Sequence, residues 1–336
     1  MPASAEPNAP ATPDRRALAR ALTRIEGGAP LDTSVGRGHA HIIGLTGAPG
    51  AGKSSLATAL TLAWRAAGRT VAILSIDPSS PLTGGAILGD RIRMRALAGD
   101  PGVFIRSMAS RGASGAIAAA ASDAVALLSA AGFDIVLIET VGAGQSEIAI
   151  TRLAHSVVLV EAPGMGDDIQ AIKAGIIEIA DVIVVNKADR PEADTLVAAL
   201  RAALDLGGHS IGHHGAQGHH GSMPDSPEME SGKPGAGDGI WDIPVLKTSA
   251  TKNSGIDPLL AALDAHGAFL AAHPGNRALE RARREIIARA GELLIAQALA
   301  AAGPAGCDAL ARRVAAGELT PGAAARLLAR PGAPGV

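Results

Sequence analysis

Nine consecutive residues of the chain combine types and spacing suited to holding phosphate. Gly47-Ala48-Pro49-Gly50-Ala51-Gly52-Lys53-Ser54-Ser55 fits G-x-x-x-x-G-K-[ST]. The glycines let the backbone curl until successive N–H groups point inward at phosphate oxygens. A helix starting here adds the partial positive charge of its N-terminus, Lys53 adds a full charge, and the Ser54 hydroxyl is an oxygen donor for Mg²⁺. The flanks supply the frame this chemistry needs. His41-Ile42-Ile43-Gly44-Leu45 reads as a short buried strand, and Ser55 to Trp64 reads as a helix. A merely glycine-rich turn does not need that frame, and lysine occurs only six times in the chain. The string is read as a nucleotide phosphate loop.

A second set of residues reads a base. Asn186-Lys187-Ala188-Asp189 closes an apolar run and matches N-K-x-D. A carboxylate at Asp189 can accept from both guanine N1–H and the exocyclic amine, whereas adenine offers it an acceptor at N1. A site built on such paired hydrogen bonds discriminates by roughly 10⁴ or more. Asn186 is placed to brace the loops, and the Lys187 stem to cover the base plane. Ser249-Ala250-Thr251 follows the last apolar run and resembles the short backbone loop that touches guanine O6. Guanine is therefore expected over adenine.

A third set supplies hard oxygen donors. Leu137-Ile138-Glu139-Thr140-Val141-Gly142 ends another apolar run. Glu139 stands where a carboxylate reaches Mg²⁺ directly or through water, and Gly142 permits close backbone approach to the γ-phosphate. Gln145 follows in a candidate switch, as a water-orienting residue or an ordinary loop glutamine. Asp77-Pro78-Ser79-Ser80-Pro81 and Gly89-Asp90-Arg91 form a second candidate switch. There Asp77 and Asp90, with Ser54 and Glu139, would complete a Mg²⁺ shell. Lys53, Asp90, Glu139 and Lys173 are the candidate catalytic residues, Lys173 serving either phosphate or a partner interface.

The elements that must position these residues follow from hydrophobic patterning. Seven apolar runs read as strands: 41–46, 70–76, 103–106, 134–139, 156–161, 181–186 and 243–248. Valine and isoleucine dominate several, with little alternation, as in strands covered on both faces. Helix-length segments separate most of them, so the sheet should be largely parallel with right-handed crossovers. That includes the step from the phosphate-loop strand to Thr70–Ile76, where Ras-like GTPases place an antiparallel hairpin. The fold class is α/β, a P-loop NTPase.

Around this core, residues 1–13 are Pro/Ala-rich and expected to be disordered. Asp14 caps a short amphipathic helix carrying Leu18, Leu22 and Ile25 and ending at Gly27-Gly28. Beyond His266, residues 277–301 read as a long helix with Leu279, Ile286, Ile287, Leu293 and Leu294 on or near one face. Ala309–Ala316 reads as a second helix, and Thr320-Pro321 caps a third through Leu328. Such a tail must pack on the main domain or on another subunit. The expected divisions are 1–38, 39–265 and 266–336. Residues 207–239 are low-complexity Gly, His, Ser and Pro, and carry five of the ten histidines. They are expected to form a disordered insertion; adventitious metal binding outweighs a metal-buffering role.

Bulk properties narrow the function. A net charge of -2 gives no general field for nucleic acid or anionic membrane. Near-absence of aromatics, with no tyrosine, disfavours base-stacking recognition. The single cysteine, Cys307, excludes an intrachain disulfide and a cysteine-cluster metal site. No uninterrupted apolar run approaches about 20 residues, and the start MPASAEPNAPATPDRR lacks an apolar signal core, so a cytoplasmic protein is expected.

Together the strings GAPGAGKSS, SIDPSSPLTGGAILGDRIRM, SMASRGASG, ETVGAGQSE, EAPGMGDDIQAIKAG and VNKAD, with the tail AAGELTPGAAARLL, resemble the MeaB/ArgK family of G-protein chaperones. The resemblance covers about residues 14–206 and 240–330. The His/Gly-rich insertion departs from it. It implies a SIMIBI-like G domain with a C-terminal helical dimerisation arm, and a homodimeric Mg²⁺-dependent GTPase that converts GTP to GDP. It implies an adenosylcobalamin-dependent acyl-CoA mutase of the methylmalonyl-CoA type as partner. The chaperone would gate cofactor loading and protect or reactivate the mutase, and Pro163–Lys173 would be an additional switch. Three other readings compete: a nickel-inserting metallochaperone GTPase, a kinase, and a nucleotide-gated scaffold with negligible hydrolysis.

If the insertion is a solvated loop, deleting residues 209–238 should leave nucleotide affinity within about twofold, since such loops carry few stabilising contacts. Titration of labelled GDP into the deletion variant checks this; a stoichiometric metal requirement lost with the loop would instead favour metal insertion.

Overall fold

Valine, isoleucine and leucine at successive positions leave a strand no polar face, so each must be covered on both sides. The computed structural model describes residues 14–32, 35–36, 38–77, 94–109, 114–140, 153–164, 177, 179–206, 241–273 and 276–329. Within them seven strands form one sheet: β1 (His41–Thr46), β2 (Val71–Asp77), β3 (Val103–Ala109), β4 (Ile135–Thr140), β5 (Ser156–Glu161), β6 (Val182–Val185) and β7 (Val245–Lys247). Their order is β3-β2-β4-β1-β5-β6-β7, and every described pairing is parallel. All seven expected strands are present, their ends shifted by three residues at most. The step after β1 runs to β2 with β4 lying between them, so the two are parallel and not a hairpin.

Alternate strand residues serve different layers. Ile43, Leu45, Ile73, Leu137, Val158 and Val160 pack with Leu56, Leu60 and Trp64 of the helix Lys53–Ala66 and with Leu259 and Leu263 of the helix Ile256–Ala272. The other face, with Leu74, Val136 and Ile138, is covered by the N-terminal helix and by Ser114–Ala130. In chain order the helices are α1 (Arg15–Glu26), α2 (Lys53–Ala66), α3 (Ser114–Ala130), α4 (Ala193–Leu206), α5 (Ile256–Ala272), α6 (Asn276–Ala315) and α7 (Pro321–Leu328). Helix α4 covers Leu159, Ile183 and Val185 at the β6–β7 end.

Helix α1 begins where expected: the Asp14 carboxylate accepts from the N–H groups of Arg16 and Ala17 (2.9 and 3.1 Å). Leu18, Leu22 and Ile25 are buried, and Arg106 pairs with Glu26 to fix the far end. The structure refines two expectations about the tail. The division expected at 265/266 falls inside α5, whose His266 is fully buried. The two helices expected at 277–301 and 309–316 are present, but they meet at Gly303 and the second starts five residues earlier than expected, at Pro304. The helical stretch breaks only at Gly303 (φ 65°, ψ 172°), and Pro304 restarts it, because proline suits a first helical turn.

Helix α6 leaves Leu279, Ile286, Ile287, Leu293, Leu294 and Ile295 more than 60% exposed. Its Arg289 reaches Asp123 of α3 at 2.7 Å and so ties it to the domain. Residues 282–315 are long and apolar enough by length and composition to cross a membrane, but this ion pair and the Gly303 break interrupt them.

Leu22→Ala should cost roughly 2–5 kcal/mol, the usual range for emptying a fully buried leucine site. Urea unfolding measures the loss; GDP affinity should be retained, since α1 lies away from the phosphate loop.

Candidate functional site

The loops that leave the carboxyl ends of the strands carry nearly every residue singled out by chemistry. This is the edge where open parallel sheets bind ligands. Between β1 and α2, residues 47–52 make the phosphate loop. Two of its glycines are dictated by contact. A Cβ at Gly47 (φ 129°) would lie 2.0 Å from the Val160 carbonyl oxygen, and one at Gly52 (φ 93°) 2.4 Å from Asn186 Nδ2. Helix α2 starts at Lys53, two residues earlier than expected, with no side-chain cap. The N–H groups of residues 53–55 thus have no intrahelical acceptor, which makes a helix N-terminus a site for anions. Ala51 is fully buried and shapes the loop from beneath.

Lys53 is almost fully buried, and its ammonium donates to the carbonyls of Gly47 (2.6 Å) and Ala48 (3.0 Å). The charge is held over the loop's mouth, where phosphate oxygens are stronger acceptors than neutral carbonyls. The Ser54 hydroxyl donates to Glu139 Oε1, which brings two of the expected metal donors into direct contact. Glu139 is itself buried at the end of β4. Beside it in register stands Ser75 of β2, fully buried, its hydroxyl without a hydrogen-bond partner among the described residues. Sequence reading passed over Ser75. Its signal was a lone serine inside the apolar run of β2.

The base end is built around Asn186. Its amide donates to the Ala51 carbonyl (2.9 Å) and accepts from Thr248 Oγ1 and the Ala250 N–H, each at 3.2 Å. Lys187 takes a left-handed conformation (φ 56°) and donates to the Gly50 carbonyl at 2.7 Å, so its stem lies against the phosphate loop. Asp189 accepts from the Ser249 hydroxyl at 2.7 Å, and Lys252 Nζ stands 3.7 Å from its other oxygen. The Ser249 hydrogen bond is the main cause that holds the Asp189 carboxyl below its ordinary range. The ionised carboxylate is the form that accepts two donors from a guanine. Ser249 acts here through its side chain, which sequence reading assigned only to a backbone loop. Thr251 Oγ1 lies 3.4 Å from the same hydroxyl.

The structure therefore brings together Gly47–Ser55, Glu139, Asn186, Lys187, Asp189 and Ser249–Thr251. Asp77 closes β2 at the same edge. Asp90, Gly142, Gln145 and Lys173 lie outside the described residues, as do the histidines of 207–239. Of the expected additional switch, Pro163 and Gly164 are described: Arg190 donates to the Pro163 carbonyl at 3.2 Å.

Comparison with known proteins agrees with this geometry. Residues 18–302 match the family described as methylmalonyl Co-A mutase-associated GTPase MeaB, and the chain belongs to that family. A protein of Pyrococcus abyssi named as a GTPase is 43% identical over 81% of this chain and 78% of its own length. The GTPase ArgK of Escherichia coli is 40% identical over 52% of this chain and 56% of its own. A crystal structure titled LAO/AO transport system kinase superposes with TM-score 0.64 at 26% identity, covering 94% of this chain and 92% of that one. The protein is a P-loop GTPase, and the nucleotide it binds is a guanine nucleotide.

Asp189→Asn should weaken GDP by about 10²-fold or more and improve xanthosine diphosphate, whose base presents an acceptor where guanine presents its amine. Competition titration of the two nucleotides checks the exchange; an unchanged ratio would remove Asp189 from base recognition.

Proposed function

We propose that this GTPase is a Mg²⁺-dependent chaperone of an adenosylcobalamin-dependent acyl-CoA mutase of the methylmalonyl-CoA type. In that role it gates cofactor loading and protects or reactivates the mutase, as a homodimer in the cytoplasm, without nucleic acid or membrane. The observation that carries the reading is the family match, which names a methylmalonyl-CoA mutase and spans the nucleotide site together with the loops at its edge.

The residues present suit a magnesium ion. Ser54 and the buried Glu139 are hard oxygen donors in mutual contact, and the orphaned Ser75 hydroxyl lies one strand away. Such donors match the preference of Mg²⁺ for oxygen and retained water. Ser54 and Glu139, with Asp77 and Asp90, would hold it. When bound, it would neutralise charge on the phosphoryl oxygens.

The protein's own part is positioning and charge. The backbone N–H groups of the phosphate loop and the α2 N-terminus hold the phosphates. The Lys53 ammonium exchanges its two carbonyl partners for phosphate oxygens and stabilises charge that grows as water attacks the γ-phosphorus in line. The bond from that phosphorus to the β–γ bridging oxygen breaks, and GDP leaves. Asn186 sets the distance between phosphate loop and base loop, and Asp189 admits guanine. Slow intrinsic turnover is expected, raised by the partner. The exposed apolar residues of α6, Leu279 to Ile295, supply a surface for a second copy.

A partner controlled by nucleotide must bind the GTP and GDP states with different affinity. GTP turnover with and without a cognate adenosylcobalamin mutase, and cofactor transfer in GTP, GDP and a non-hydrolysable analogue, test the reading. Stimulated turnover and nucleotide-dependent transfer are expected. Failure to bind or respond to any acyl-CoA mutase of the same organism would leave a GTPase with a different partner.

A further inference from the structure

All five histidines outside the 207–239 segment gather at the opposite, amino-terminal edge of the sheet: His39, His41, His155, His266 and His273. Four groups there form a chain. His41 Nε2 lies 2.7 Å from Ser156 Oγ, Ser156 Oγ lies 2.7 Å from His266 Nδ1, and His266 Nε2 lies 3.3 Å from Asp181 Oδ1. A proton on His266 Nε2 suits the Asp181 carboxylate 3.3 Å away, and in that tautomer Nδ1 accepts from the Ser156 hydroxyl. That oxygen in turn accepts from His41 Nε2–H. In that arrangement His41 Nδ1 holds a lone pair without a hydrogen-bond partner among the described residues, and burial, which pushes its pKa down to about 4, keeps the ring neutral.

That edge of His41 faces Gly267 of α5: a Cβ there would lie 3.1 Å from His41 Cε1 and 3.3 Å from Nδ1. Gly267 and His41 both line a cavity of about 620 Å³, well within the range of small-molecule sites. The cavity walls also carry one guanidinium and two carboxylates. Arg69 is matched by Asp264 in a two-pronged pair at 2.6 and 3.0 Å. Asp134 accepts from Thr70 through Oδ2, its Oδ1 stands 3.8 Å from His39, and Arg69 acts on the carboxylate through space. The last turn of α5 adds Leu270 and Ala271, whose carbonyls lie at the negative end of the helix. The balance of this wall is negative and rich in acceptors. Among the described residues no three His, Cys, Asp or Glu side chains converge to hold a metal ion.

We propose that this cavity binds a small organic cation, an alkylammonium whose N–H groups are received by His41 Nδ1 and the Asp134 carboxylate while its aliphatic part lies on Ile135 and Leu270. The site is separate from the nucleotide loops, so the full-length protein can be tested with GDP bound. The probes are n-butylammonium chloride, butyrate and potassium chloride at equal ionic strength, followed by NMR of isotope-labelled histidine ring nitrogens. Saturable movement of His41 Nδ1 with butylammonium, absent with the other two, is expected. Asp134→Asn should weaken binding by about tenfold or more, the worth of a hydrogen bond to a charged group. Ala271→Trp fills the mouth from an exposed helix position without altering charge, and should abolish binding while GTP turnover stays unchanged. Equal response to butyrate, a non-saturating shift, or undiminished binding in Ala271→Trp would overturn the proposal.

Discussion

The side-chain amide of Asn186 ties the phosphate end of the nucleotide site to its base end. It donates to the phosphate loop at Ala51 and accepts from the loop after β7 at Thr248 and Ala250. Each of these groups is buried or half-buried, where an unsatisfied partner costs about 1–3 kcal/mol. A residue without both donor and acceptor at this point would therefore strand groups in two loops at once. The close approach also explains Gly52, since any Cβ there would collide with the same amide.

That keystone works because the sheet brings three loop roots within its reach. Strand β1 lies between β4 and β5, and the chain leaves it toward β2 on one side and returns to β5, β6 and β7 on the other. The crevice at this reversal is where such sheets leave room for ligands. The phosphate loop, Glu139 and Asn186 all occupy it because β1, β4 and β6 end there in register. Parallel pairing throughout sends every strand's carboxyl end to one edge, and so assembles a site from residues more than 130 positions apart.

Much of this was legible in the sequence, and for specific reasons. The phosphate loop and N-K-x-D are fixed by local backbone chemistry, which short strings encode. The strands were legible because Val and Ile runs covered on both faces lack polar interruptions. What escaped depended on contacts between distant segments. The Ser249 hydroxyl on Asp189 spans 60 residues, and no local pattern marks it. The continuity of α6 through residues 304–308 escaped because Gly303-Pro304 reads as a loop, yet proline after a left-handed glycine restarts a helix. The histidines at the amino edge come from β1, the turn before β5, and α5. Only the fold makes them neighbours.

The root of the segment after β5 shows how the two ends of the site could speak to a third loop. The Val160 carbonyl presses on Gly47, the Glu161 carbonyl accepts from the Asn186 N–H at 2.7 Å, and the Pro163 carbonyl accepts from Arg190. The phosphate loop and the base loop therefore both grip the same few residues. A displacement of either loop would therefore press first on Val160 to Pro163. Because these contacts are backbone carbonyls in a close-packed strand end, they cannot absorb a shift softly. A loop that reports nucleotide state to a partner needs a root held in this way.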